Sequence, residues 1–210
     1  MMEALNEIRR LAERIFCGEA RLKVIGGRLI QADYNPTTRT VRLTRGLVEA
    51  YRRGHITLRN VEAILWHEHG EKTYYKPRKL LAVLFLTLVA AVHIIFCIIH
   101  LVVVYHMIWF TLGLLVGICL TMACFCSPLN RAKELLCDVH ATVNMGSVKE
   151  FIATLSRIDK LNRDVKINPL SRFRGLFMEK LCGEHPETRE RVRFLERLKK
   201  VCENKGRASG

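Results

Sequence analysis

Apolar positions along the chain follow three patterns: helical spacing, strand alternation and one long unbroken run. Over Met2 to Glu19, Leu5, Ile8, Leu11, Ile15 and Phe16 stand at helical spacing with Arg and Glu between them. That predicts an amphipathic helix stopped at Gly18. Leu22–Ile25 and Arg28–Asp33 read as short strands around Gly26-Gly27, and Thr40–Thr44 as a third with clean alternation. The expected result is a small antiparallel sheet with an edge strand. Arg45–Tyr51 starts a short helix ending near Gly54. Thr57 or Asn60 can cap the next helix, which carries Val61, Ala63, Ile64 and Leu65.

From Leu80 to Ser127 there is no Lys, Arg, Asp or Glu. As helix this block would run roughly 70 Å at about 1.5 Å per residue. One span needs about 20 residues, so the block predicts a two-helix transmembrane hairpin turning near Val103 to Met107. Helical patterns resume at 130, carrying Glu134, Cys137, Asp138 and Ala141, and again over Val148–Leu161 and Glu187–Val201. Between the last two, Asn162–Arg174 is polar and basic and reads as a loop, and Leu176–Leu181 is apolar. The chain thus divides into 1–79 and 128–203 as two halves of one domain, 80–127 as an inserted hairpin, and 204–210 as a disordered tail.

Charge sharpens this picture. The net charge is +14, all of it outside the apolar block. Lys72, Lys76, Arg78 and Lys79 flank one end of the block, and Arg131 and Lys133 the other. The positive-inside rule then places both termini in the cytoplasm of a two-span cell-membrane protein, facing anionic lipids of the bilayer. No zinc-finger spacing or aromatic-interleaved basic run is present, which argues against nucleic acid as the partner. The eight cysteines include no C-x-x-C pair and read as small hydrophobes rather than a disulfide framework. Met1 to Glu19 is charged throughout and has no signal-peptide core.

The candidate chemistry lies in Trp66-His67-Glu68-His69-Gly70-Glu71. On a helix His67 and Glu71 share a face, and Glu68 lies about 100° round from His67. The stretch resembles the gluzincin signature H-E-x-x-H with Glu71 in the second histidine's place. A His–Glu pair at this spacing is more often a surface ion pair, so the weight comes from the ordered set around it. "TRGLVEAY" precedes "VEAILWHEHGE"; "NRAKELLCDVHA" and "HPETRERVRFL" follow. From Val41 to Leu195 this series resembles the HtpX-type membrane metallopeptidases, relatives of the CAAX prenyl protease.

The resemblance implies an α+β membrane protein: a mainly helical gluzincin-like domain with a small antiparallel sheet and the inserted hairpin. It implies one Zn²⁺ held by His67 and Glu134, with Glu71 in the second histidine's place completing a possible triad, Glu68 as general base and Asp138 orienting a ligand. His185 would stabilise the tetrahedral intermediate, or simply lead into a helix before Pro186; Arg191 would pair with an acidic group near the site. A protein or peptide substrate would add as an extended strand to the sheet edge. The implied activity is zinc-dependent endopeptidase action on membrane or misfolded proteins, a quality-control role.

Two departures stand out. The family has further spans before the metal helix, and Glu71 replaces a histidine. Glutamate binds zinc through oxygen, but two carboxylates make a bound water less acidic and favour harder cations such as Mn²⁺. Glu71 is therefore open to three accounts: a variant that still binds metal, a pseudoenzyme that binds segments of proteins without cleavage, or a substitution that disables zinc binding. A third function class, a basic membrane adaptor, would leave His67 and Glu134 far apart. In the apolar block, His93 and His100 stand seven residues apart on one face, and His106 falls near the expected turn. Neutral hydrogen-bonded histidines explain them more simply than a second metal site.

Overall fold

The computed structural model describes residues 2–103, 130–165 and 187–208. Helix α1, Met2–Phe16, turns Ile8, Leu11, Ala12, Ile15 and Phe16 inward and its charges outward. It ends where Cys17 (φ 52°) and Gly18 (φ 74°) turn left-handed, with Gly18 N donating to Glu13 O at 3.0 Å.

Strands β1 (Arg21–Ile25), β2 (Ala32–Asn35) and β3 (Thr40–Thr44) form one sheet in the order β1-β3-β2. β3 pairs parallel with β1 and antiparallel with β2. The sheet is therefore mixed, not the expected antiparallel one. Gly26-Gly27 does not close a hairpin, because β3 lies between the strands it joins. The connection instead crosses the start of helix α2, Arg45–Arg52. A Cβ on Gly46 would lie 2.2 Å from Arg28 O, so only glycine admits that crossing. Thr44 ties the junction together. Its hydroxyl donates to Leu29 O at 2.6 Å and accepts from Leu47 N at 3.3 Å as the cap of α2.

Helix α3, Leu58–Val103, is continuous. Thr57 and Asn60 close its first turn reciprocally: Thr57 N donates to Asn60 Oδ1 at 2.9 Å, and Asn60 N to Thr57 Oγ1 at 3.3 Å. Helix α4 covers 130–145, α5 Val148–Arg163 and α6 Thr188–Ala208. The first part of α3 is a wall shared by two apolar clusters. Leu65 and Val61 join Ile8, Phe16, Val41, Leu43 and Leu47 on the α1–sheet side. Ala63 joins Ala141, Met145, Phe151 and Leu195 on the side of α4, α5 and α6. Each fully buried Leu, Ile or Phe contributes about 1.5–3 kcal/mol. Arg59 binds Met145 O at 2.7 Å, and Asn60 binds Thr154 Oγ1 at 2.8 Å, locking α3 to α4 and α5.

Two further expectations are overturned. Among the described residues no helix is long and apolar enough to cross a membrane. The transmembrane hairpin over 80–127 is therefore not supported, nor is a two-span cell-membrane location. Residues 80–103 of the uncharged run continue a helix that begins at Leu58 and carries Arg59, Glu62, Glu68, Glu71 and Lys72 in its first turns. The expected second span and most of the expected turn, with His106, fall outside the described residues, as do Leu176–Leu181 and His185. The tail also differs: α6 continues to Ala208, past the expected start of disorder.

Candidate metal centre

The site forms where α3 crosses α4, and Gly70 sets how closely they approach. A Cβ at Gly70 would lie 3.0 Å from Cys137 Cα and 3.3 Å from the Cβ atoms of Cys137 and His140. A mid-helix glycine sacrifices about 1 kcal/mol of helix propensity relative to Ala; here it lets two backbones touch. One face of α3 thereby meets one face of α4. His67, Glu68 and Glu71 come from the first, and Glu134 and Asp138, one turn apart, from the second.

His67, Glu71 and Glu134 each offer a ligand atom, and these atoms lie within 4.8 Å of one another. Their side chains are 12, 17 and 1% exposed. His67 Nε2 lies 3.3 Å from Glu134 Oε2. Bonds of about 2.0–2.1 Å to one tetrahedral ion place neighbouring ligands about 3.3–3.4 Å apart. A charge-assisted hydrogen bond would be shorter, about 2.7–2.9 Å. The 3.3 Å spacing is compatible with two ligands of one cation, and the group could hold a metal ion.

The other imidazole nitrogen is fixed from behind. His67 Nδ1 lies 2.9 Å from Asp138 Oδ1, and donation there leaves Nε2 free as a ligand. Asp138, fully buried, is held in turn by Arg191 of α6, whose Nε donates to Oδ2 at 2.7 Å and whose Nη2 donates to Oδ1. Burial works against the Asp138 charge, but Arg191 and His67 outweigh it and lower its pKa. Burial likewise opposes the His67 imidazolium, yet Asp138 and Glu134 raise its pKa to about 10 in the metal-free site. Metal would have to displace that proton, as it does for any histidine ligand.

Glu68 is 5% exposed, and its Oε2 has no hydrogen-bond partner among the described residues. Burial first, then the charge of Glu71, pushes its pKa up to about 8. It lines the same cavity of about 1160 Å³ as His67, Glu71 and Glu134. β2 also lines that cavity. Thr44 N donates to Gln31 O at 3.1 Å, so residues 31, 33 and 35 face β3. By alternation Ile30, Ala32 and Tyr34 turn their backbone groups outward. Asn162 takes up both groups of Ile30, accepting from N at 2.7 Å and donating to O at 3.2 Å.

The structure thus brings together His67, Glu68, Glu71, Glu134, Asp138 and Arg191; His185 lies outside the described residues. His69 points to the other side of α3, its Nδ1 2.9 Å from His140 Nε2, with the two rings stacked at 5.2 Å. Sequence reasoning missed two residues. Lys133 was assigned to the flank of the apolar block, yet its ammonium is bonded to Glu71 and lies 3.2 Å from Glu134 Oε1. The available signal is a lysine directly before one candidate ligand glutamate in a chain where the second candidate ligand is also a glutamate. Asn162 opens the polar stretch expected as a loop but lies in α5, and its pairing with Ile30 has no local sequence signal. No family model, curated protein or solved structure matches the chain.

Proposed function

We propose that the protein is a metal-dependent endopeptidase of the gluzincin type, with His67, Glu71 and Glu134 holding one Zn²⁺. The observation that carries this reading is the convergence of three ligand atoms beside a buried, unpartnered carboxylate oxygen of Glu68. The ordered motifs of the gluzincin resemblance support it. A bound zinc would supply Lewis-acid activation of water and of the scissile carbonyl. Glu68 accepts the proton of the attacking water and passes it to the leaving amine. Asp138 and Arg191 keep the imidazole of His67 in its ligating orientation. The outward backbone groups of Ala32 and Tyr34 hold an extended peptide along the cavity by strand addition.

The test is cleavage of an unfolded reporter protein by the full chain with zinc. Glu68→Gln should lower the rate by at least about 100-fold while zinc content stays unchanged. Undiminished cleavage in that variant would contradict the assignment. A second reading, peptide binding without cleavage, is favoured by one observation: Lys133 places its ammonium against both ligand carboxylates. It predicts retained peptide binding and no turnover with Zn²⁺ or Mn²⁺.

A further inference from the structure

Lys133 precedes Glu134 on α4, and its side chain is only 17% exposed. Its ammonium contacts Oε1 of Glu71 and, at 3.2 Å, Oε1 of Glu134. Glu134 divides its oxygens: Oε1 faces Lys133, and Oε2 faces His67 Nε2 at 3.3 Å. The lysine therefore lies alongside the ligand group without displacing its histidine edge. An ammonium is compact and strongly hydrated, so it gives up water in such a place only against close anionic oxygens.

The charge count gives this contact a meaning. Two neutral histidines and one glutamate carry a single negative charge; exchanging a histidine for Glu71 adds a second, and Lys133 returns the group to one. The contact is also built to yield. A lysine is a point charge on a flexible stem, whereas a guanidinium locked in two parallel bonds would be fixed in place. Resting on the metal-centre reading above, we propose that Lys133 is the resident counter-ion of the site. It compensates the charge that Glu71 brings and competes with a divalent cation for Glu71 and Glu134, so it sets how tightly the site holds metal.

The experiment is a titration of the full-length protein with Zn²⁺ and with Mn²⁺ against a competing chelator. Four proteins are compared: the unmodified chain, Lys133→Met, Glu71→His, and the double variant, with Lys133→Gln in reserve if the methionine variant misfolds. Removing a poorly screened like charge at ion-pair range should tighten metal binding by at least about tenfold. In the Glu71→His background, where Lys133 has lost its nearer partner, the gain should fall below about threefold. If Lys133→Met binds no tighter than the unmodified chain, or if the gain is equal in both backgrounds, the inference about Lys133 is overturned while the metal centre stands. If none of the four proteins binds metal, the metal-centre reading fails and takes the inference with it.

Discussion

Two carboxylate–cation pairs flank His67, and they are built differently. Asp138 is fully buried, accepts two bonds from one guanidinium and holds the back of the imidazole. Glu71 is partly exposed and shares the ammonium of Lys133 with Glu134. The planar fork of arginine fixes its partner in one orientation, whereas the lysine point charge can leave. On the proposal above, one pair serves geometry and the other serves charge. A motif read only for its ligands would have kept Glu71 and passed over Asp138, Arg191 and Lys133.

That contrast can be broken from the rigid side first. Asp138→Ala strands Arg191 in a buried position and should lower unfolding stability by about 3–5 kcal/mol. It should also weaken metal binding by about 10–100-fold, because His67 loses its orienting partner. Denaturant unfolding and zinc titration check the two effects separately. Stability unchanged by this substitution would show that the pair is not structural.

Gly70→Val acts on both pairs at once. The added side chain meets the backbone of Cys137, and overpacking of this kind costs about 1–3 kcal/mol. Pushing α4 away should also separate Glu134 from His67 and abolish metal uptake. Retained uptake at full stability would mean that close helix contact is not what assembles the site.

Asn162→Ala sharpens the comparison by leaving both pairs alone. It deprives the Ile30 backbone of its two bonds and should destabilise by about 1 kcal/mol, with metal affinity unaltered. A loss of metal binding here would show that affinity merely follows global stability.

How much of this was legible in the sequence depended on the range of the interactions. The helices from Met2, Arg45, Leu58 and Val148 follow from local periodicity and caps, which neighbouring residues decide. The sheet was misjudged because strand partners are set by a crossover over Gly46, and nothing within Gly26-Gly27 reveals that β3 intervenes. The hairpin was inferred from an uncharged run alone, which does not tell where one helix ends and another begins. At the site, the one-turn spacing of His67 and Glu71 is weak by itself; Glu134 and Asp138 come from the ordered motifs of the resemblance, and that the four meet is a fact of packing. Lys133 was legible only as a charge; what it contacts depends on how α3 crosses α4, a fact of packing rather than spacing.

The most direct test of the central claim is the metal content of the purified protein by elemental analysis, beside His67→Ala. The account predicts near-stoichiometric zinc after equilibration with Zn²⁺, lost in the variant. Equal zinc in both proteins, or none in either, would contradict it.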